Sequence, residues 1–338
     1  MLQGNCSAML DLMFLAFPTH PVHQVLLFLG ISMVYATITT GNLLIIVAIW
    51  GDPHLHTPMY FFLGTLSLVE LCYTAVVVPQ ILLTSLQEKK SITFQSCSAQ
   101  MFFFIGLGSA DCFLLAIMAY DRFVAICKPL RYTLIMTQEL CIQLVAASLL
   151  VGFLISLMLV CLVFHLPFCD VHGIEHFFCD VPPVLQLASY KTKLDEVGVF
   201  LTGIMAIAVP FVLICTSYLF IAVAVLQIHS ADGRQKAIST CSSHLAVVAL
   251  QYGCCSFMYL RPSSSFSPKQ DQMLSMVYTL GTPLLNPIIY TLRNREVKTA
   301  LRKVISHRIL TWKILGWNIA GWNGMMQSLL PSSNSGKF

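Results

Sequence analysis

Residues 96–120 read SCSAQMFFFIGLGSADCFLLAIMAY and contain one formally charged side chain, that of Asp111. A helix needs about 20 mostly apolar residues to cross the hydrocarbon core of a bilayer, and this stretch meets that requirement. In the whole chain only 10% of residues are charged and 57% are hydrophobic, whereas soluble domains carry about a quarter charged residues. The stretch therefore predicts a membrane-spanning helix in a membrane protein.

Six further stretches of similar character lie on either side of it, at residues 24–50, 58–86, 140–164, 197–228, 237–260 and 272–292. Across all seven, Glu70 and Asp111 are the two formal charges. We therefore predict an all-α membrane protein, a seven-transmembrane helix bundle followed by a short amphipathic helix. The expected parts are an N-terminal tail at 1–23, the seven-transmembrane domain at 24–292, the amphipathic helix at 293–305 and a tail at 306–338.

The distribution of basic residues predicts the orientation of the bundle. With the N-terminus outside, the cytosolic segments hold 13 basic and 5 acidic residues, and the external segments hold 6 and 8. Because cytosolic loops carry an excess of Lys and Arg, we expect an extracellular N-terminus and a cytosolic C-terminus. Asn5-Cys6-Ser7 is then an N-glycosylation sequon on the luminal side, with a chance tripeptide as the alternative.

The segment after the seventh stretch is amphipathic. Val297, Leu301, Val304 and Ile305 fall on one face of a helix, and Arg295, Lys298, Arg302 and Lys303 fall elsewhere. We expect this helix to lie on the inner membrane surface. The tail at 306–338 either contacts the membrane interface or is unstructured.

Residues 118–127 read MAYDRFVAIC and resemble the MAYDRYVAIC signature of the odorant receptors, a branch of the rhodopsin-like G-protein-coupled receptors. Phe123 stands where Tyr is usual. Other family-like stretches are PMYFFL at 58–63, Ser217-Tyr218, KAISTCSSHL at 236–245 and PLLNPIIY at 283–290. The resemblance covers roughly residues 10–305, with the motifs in the family's order. It implies a plasma-membrane receptor that binds a small volatile molecule and activates a stimulatory G protein to raise cyclic AMP.

The resemblance also implies a switch. Asp121 and Arg122 would form an inactive-state latch, with a simple membrane-interface anchor as the alternative for Arg122. Asn286-Pro287 would kink the seventh span, because proline removes one backbone donor. Tyr218 and Tyr290 would turn inward when the helices open, and the alternative is a static kink.

The intramembrane acids Glu70 and Asp111 are expected to be functional, because isolated carboxylates at that depth are costly. By family analogy, with Asn42 and Asn286 nearby, they would hold a Na⁺ that stabilises the resting state. The alternative is a pair that shares one proton, since two close carboxylates resist double ionisation.

The resemblance pairs Cys97 with Cys179 in a structural disulfide. In the long external loop, Ser189 stands where the family usually has a further cysteine. Cys169 therefore lacks its usual partner, and it is either free or paired with Cys161 or Cys6.

A ligand pocket is expected in the outer half of the bundle. On the third span, the candidates follow helical spacing above Asp111, and the resemblance supplies the others. They are Phe104, Ile105, Gly108 and Ser109 on the third span, Gly203, Ala206 and Ile207 on the fifth, Tyr252, Cys255 and Tyr259 on the sixth, and Thr279 on the seventh. This uncharged set suits a volatile with one oxygen and disfavours an amine. For several of these residues the alternative is ordinary packing between helices.

Other classes of protein fit less well. The sequence shows no Ser/His/Asp set, HExxH or Walker loop, so an enzyme is not expected. The remaining alternatives are a cation channel or transporter that uses Glu70 and Asp111, and a receptor relic that does not signal.

Overall fold

The computed structural model describes residues 11–17, 20–87, 90–168, 173–190, 192–228, 230–259, 268–293 and 296–303. The predicted glycosylation at Asn5 lies outside these residues, as do Cys6, Cys169 and the tail at 306–338.

Seven long helices follow one another in the described part of the chain. They are α1 (Pro21–Gly51), α2 (Pro58–Leu86), α3 (Phe94–Cys127), α4 (Gln138–Phe164), α5 (Lys193–Leu226), α6 (Ala231–Tyr259) and α7, which combines Pro268–Met276, a π-helical turn at Val277–Gly281 and Thr282–Arg293. Among the described residues, α1 to α5 are long and apolar enough to cross a membrane. In α6 the apolar stretch is interrupted by His244 and Gln251. The π-turn divides α7 into segments of 9, 5 and 12 residues, each shorter than a membrane span.

Local capping residues explain where several helices begin. Thr93, Thr137 and Thr192 precede α3, α4 and α5, and each side chain accepts a hydrogen bond from the backbone N–H three residues later. The backbone N–H of Thr192 in turn donates a hydrogen bond to the Asp195 side chain, which completes a capping box. These caps satisfy backbone donors that a helix leaves unpaired at its start.

α3 crosses α4 at unusually close range. A Cβ atom added to Gly152 would lie 2.6 Å from the Gly106 carbonyl oxygen and 2.8 Å from the Ala110 nitrogen. Ser156 then donates a hydrogen bond of 2.6 Å to the Phe102 carbonyl across the same crossing. The absence of a side chain at Gly152 therefore fixes how closely α4 supports α3.

The side of the bundle that the charge distribution predicts to be external is closed by a small cap that the sequence did not indicate. Strand β1 (Asp11–Met13) pairs antiparallel with β2 (Ser91–Thr93), and Phe14 forms a bridge to Ile174 in the long external loop. The predicted disulfide between Cys97 and Cys179 is confirmed and joins this loop to the start of α3. Cys161, one of the partners considered for Cys169, is a free thiol.

The amphipathic segment is helical over 296–303 and packs on the bundle. Val297, on the predicted apolar face, is fully buried. The Tyr60 hydroxyl donates a 2.6 Å hydrogen bond to Glu296, and Lys303 pairs with Asp52 in the first cytosolic loop at 3.0 Å. The hydrogen bond from Lys303 holds the pKa of Asp52 below its ordinary value. These contacts hold the segment against the bundle, and its placement on the inner membrane surface stays a prediction.

Candidate ligand cavity and cytosolic switch

A cavity of about 70 Å³ lies between the helices in the half of the bundle predicted to be external. This volume is smaller than the roughly 300–1,000 Å³ of ligand pockets, so a bound molecule would have to enlarge the space. It is lined by Tyr73, Phe104, Ile105, Gly108, Ser109, Cys112, Leu159, Thr202, Gly203, Ala206, Ile207, Gln251, Cys255 and Tyr278. The lining carries no formal charge, so the space suits a neutral, mostly apolar guest.

The structure brings most of the predicted pocket residues to this cavity. Those that line it are Phe104, Ile105, Gly108, Ser109, Gly203, Ala206, Ile207 and Cys255. Tyr252 instead donates a 2.9 Å hydrogen bond to the Cys112 carbonyl and lines a separate groove between α5 and α6. Thr279 is fully buried in the π-turn and is absent from the lining, and the side chain of Tyr259 lies outside the described part.

Aromatic side chains and the disulfide loop close the top of the cavity. Phe104 stacks on Tyr73 with ring centroids 4.8 Å apart and meets Phe178 edge-on at 5.1 Å. Asp180, just beyond the disulfide, accepts a 2.6 Å hydrogen bond from the Tyr278 hydroxyl. The external loop is thereby joined to both α3 and α7 above the cavity.

A polar side chain forms part of the floor of the cavity and connects it to a buried acid. Gln251 lines the cavity, and its Nε2 donates a 3.1 Å hydrogen bond to Oδ2 of Asp111 on α3. The sequence did not single out Gln251, because a lone amide in an apolar helix carries no motif. The contact places an uncharged amide between the cavity and the buried acid.

Below this floor lies a cluster of buried oxygens. Asn286 donates a hydrogen bond to Glu70, and Asp111 lies near enough to Glu70 for the two carboxyl groups to interact electrostatically. Within the described chain four buried oxygens find no hydrogen-bond donor: Oδ1 of Asn42, Oε2 of Glu70, Oδ1 of Asp111 and Oδ1 of Asn286. The predicted pair of acids therefore sits among uncompensated oxygens, a donor set that a hard cation accepts.

The predicted latch is assembled at the cytosolic end of α3. Arg122 pairs with Asp121 at 2.9 Å, and Asp121 is fully buried. The second oxygen of Asp121 accepts a 2.7 Å hydrogen bond from Tyr132, in the short helix Tyr132–Ile135 of the second cytosolic loop. The latch thus connects α3 to this loop as well as to its own arginine.

His244 connects three helices one layer further into the membrane. Its Nδ1 lies 2.8 Å from the Tyr218 hydroxyl on α5, and its Nε2 lies 3.1 Å from the Leu115 carbonyl on α3. The imidazole is buried, so it has no access to solvent for its polar atoms. In the sequence, His244 stands out only as part of the KAISTCSSHL stretch at 236–245, which gives no reason to expect these contacts.

Tyr290 on α7 is also buried in this region, and its hydroxyl has no hydrogen-bond partner within the described chain. The Asn286-Pro287 pair lies inside Thr282–Arg293, just below the π-turn. A π-turn and a proline in succession are the usual local causes of a bent helix. The predicted switch residues therefore gather on the cytosolic side of the cavity.

A closed external cap, a neutral cavity and a charged latch on seven helices define a rhodopsin-like seven-transmembrane receptor. The chain matches the olfactory receptor family model over residues 31–308, and it belongs to that family. Among curated human relatives, it is 54% identical to olfactory receptor 10Q1 over 89% of this chain and 95% of that protein. It is 49% identical to olfactory receptor 10V1 over 89% of this chain and 98% of that protein.

Family membership confirms several predictions together. The chain is a multi-pass membrane receptor with the seven-helix architecture, and it is not an enzyme. Its partners are, in general terms, an odorant and a G protein. Membership in a receptor family also disfavours the channel and transporter alternatives.

Proposed function

We propose that this chain is a plasma-membrane odorant receptor, with its N-terminus outside, that binds small volatile molecules in the cavity and activates a stimulatory G protein to raise cyclic AMP. The observation that carries the proposal is the path of α3. Ser109 lines the cavity and Asp121 forms the latch on this one helix. They are 12 residues apart, which is about 18 Å along a helix.

The chemistry of the cavity supports the ligand class. Its walls are mainly aromatic and aliphatic, and the acid beneath it is shielded by Gln251. A cationic amine would lose its hydration without gaining a carboxylate in return, because no acid lines the space. A neutral volatile gains from burial of its apolar surface and needs only one or two polar contacts.

The cytosolic contacts support a switch between two arrangements. In the structure, Arg122 is held by Asp121, and His244 holds α6 against α3. A ligand that binds more tightly to an arrangement lacking these contacts shifts the population toward it. Arg122 would then be released to meet the G protein, and the cytosolic ends of the helices would separate.

A sodium ion would stabilise the closed arrangement. Its oxygen donors would be Glu70, Asp111, Asn42 and Asn286, which are the residues with uncompensated buried oxygens. Among the described residues no group of three His, Cys, Asp or Glu could hold a metal ion, so amide oxygens must complete the set. The ion would supply positive charge to the paired acids, and a shared proton is the competing arrangement.

The proposal is tested by cyclic AMP in cells that express the chain with a trafficking helper, with surface staining in parallel. We expect a dose-dependent rise with one or more alcohols, aldehydes, ketones or esters. Arg122→Ala should abolish it, whereas Arg131→Ala, an exposed cytosolic arginine, should preserve it. A receptor that reaches the surface and gives no response across the panel would overturn the proposal. A ligand-independent current lost in Glu70→Gln would favour a channel instead.

The sodium site has its own test. Replacing extracellular Na⁺ with choline should raise basal cyclic AMP, because the closed arrangement loses its ion. Asp111→Asn removes one charged donor, so the variant should be insensitive to the exchange. If basal cyclic AMP in the wild type does not change on the exchange, the result would argue for the shared proton. If the wild type and Asp111→Asn change equally, the sodium effect would not depend on Asp111.

A further inference from the structure

The polar side chains of the cavity differ in what they can offer a ligand. Gln251, Thr202 and Tyr278 each line the cavity, and each directs its hydrogen-bond donor into the protein. Gln251 Nε2 donates to Asp111, the Thr202 hydroxyl donates to the Gly198 carbonyl at 2.7 Å, and the Tyr278 hydroxyl donates to Asp180. Thr202 and Tyr278 thereby use their single donor. Gln251 has two N–H groups, and its side chain also hydrogen-bonds the Cys112 side chain, which accounts for the second.

Gln251 has the least ambiguous free acceptor. Its Oε1 forms no hydrogen bond within the described chain, while the amide as a whole is held in place by the bond from Nε2 to Asp111. An amide with one end bonded to a carboxylate is fixed in orientation, because a carboxylate oxygen accepts and an amide nitrogen donates. Because Gln251 lines the cavity and its nitrogen is engaged, we take Oε1 as the atom that is available to a guest.

Ser109 supplies the complementary donor. Its side chain is buried at the cavity wall, and its hydroxyl forms no hydrogen bond within the described residues. A hydroxyl can donate to a ligand oxygen whether that oxygen belongs to an alcohol or to a ketone. Ser109 alone therefore does not discriminate between the two classes.

From this arrangement we infer that Gln251 is a specificity-determining residue that selects ligands bearing an O–H donor, so that alcohols are preferred over ketones of the same skeleton. The inference rests on the proposed function, because it names the ligand class of the same cavity. An alcohol donates to Oε1 of Gln251 and accepts from Ser109. A ketone covers Oε1 without offering a proton, and a buried acceptor left without a donor is costly.

The test uses matched pairs that differ only in oxidation state: cyclohexanol with cyclohexanone, menthol with menthone, and borneol with camphor. Two readouts are taken, namely cyclic AMP in cells and the ligand-induced rise in melting temperature of the detergent-solubilised receptor. In the wild type, the alcohol of an active pair should be about tenfold more potent, which corresponds to one hydrogen bond. In Gln251→Met, which keeps the length of the side chain, the alcohol should lose that advantage and the ketone should change little.

Ile207→Val is the matched control, because it alters a cavity wall without changing polarity. It should shift both members of a pair equally and leave their ratio intact. If Gln251→Met fails to reach the surface, Gln251→Leu takes its place. The ratio of alcohol potency to ketone potency in the wild type remains a test in either case.

Ketones as potent as their alcohols in the wild type, or an unchanged ratio in the Gln251 variant, would overturn the inference while leaving the receptor function intact. Selective stabilisation by alcohols without cyclic AMP would support the inference and count against coupling to a stimulatory G protein. No response in either readout from any pair would overturn the inference.

Discussion

The imidazole of His244 and the phenol of Tyr218 stack with ring centroids 5.7 Å apart, and a 2.8 Å contact joins their polar atoms. Because the other imidazole nitrogen reaches the Leu115 carbonyl, this pair connects α5 and α6 to α3 inside the membrane. The connection lies between the cavity and the Asp121–Arg122 latch along α3. A movement of α6 would therefore be transmitted through this contact to α3, which carries the latch.

Replacing His244 with Phe should raise ligand-independent signalling. The change keeps a flat ring and removes the hydrogen bond to α3, whose loss is worth about 1 kcal/mol. A shift of that size changes the ratio of open to closed receptor about fivefold. Basal cyclic AMP normalised to surface receptor measures it. Ile238→Ala, at an exposed position of α6, serves as the control, and unaltered basal signalling in His244→Phe would show that this bond does not hold the closed arrangement.

The α3–α4 crossing should not tolerate a side chain at Gly152. The added Cβ of Gly152→Ala meets backbone atoms, which cannot rotate away, so the helices must separate. Overpacking of this kind costs about 1–3 kcal/mol. Melting of the solubilised receptor and its surface staining should both fall. Gly198→Ala is the control, because its Cβ meets only Leu162 at 3.4 Å, and equal melting of the two variants would contradict the close crossing.

The external cap should lose stability in acid. Burial lowers the pKa of His176 from 6.5 to about 4, so the folded loop keeps this imidazole neutral where the unfolded chain binds a proton. Its contribution is intact above pH 6.5 and decreases as the pH falls toward 4, with a loss of about 2 kcal/mol near pH 5.

The measurement for this prediction is the melting temperature of the solubilised receptor between pH 7 and 5. His176→Phe should flatten the decline, and His23→Phe, which changes an exposed imidazole on α1, should leave it in place. A decline of the same steepness in His176→Phe would assign the acid sensitivity to other groups.

The sequence predicts those parts of the molecule that depend on residue type along one helix. Long apolar stretches mark the spans because the bilayer admits little else, and four of the predicted cavity positions follow from the spacing on α3. The Cys97–Cys179 disulfide and the latch at Asp121 came from motifs. These features need no knowledge of how the helices are turned against one another.

The remaining features depend on contacts between distant segments. The sequence placed Tyr252 in the cavity, but its hydroxyl turns to the Cys112 carbonyl. It gave no reason to expect that Gln251 would reach Asp111 or that His244 would reach Leu115, because both contacts depend on the rotation of α6 against α3. The strand at Asp11–Met13 is too short for a periodic signal and forms only because Ser91–Thr93 offers it an edge.

If odorants act on the switch from the cavity, a substitution that fills the cavity should weaken their effect. Gly203 lines the cavity, and a Cβ added there meets no atom within 4 Å, so Gly203→Val fills space without disturbing the helix packing. Gly30 has equally open surroundings but lies on the exposed face of α1, which makes Gly30→Val the matched control.

The measurement is the cyclic AMP dose-response to an activating volatile, at equal surface expression, in the wild type and in both variants. The potency at Gly203→Val should fall at least about tenfold, because the loss of one favourable burial contact and a steric conflict together exceed about 1.4 kcal/mol. Gly30→Val should respond like the wild type. A Gly203→Val receptor with wild-type potency would contradict the claim that odorants act from this cavity.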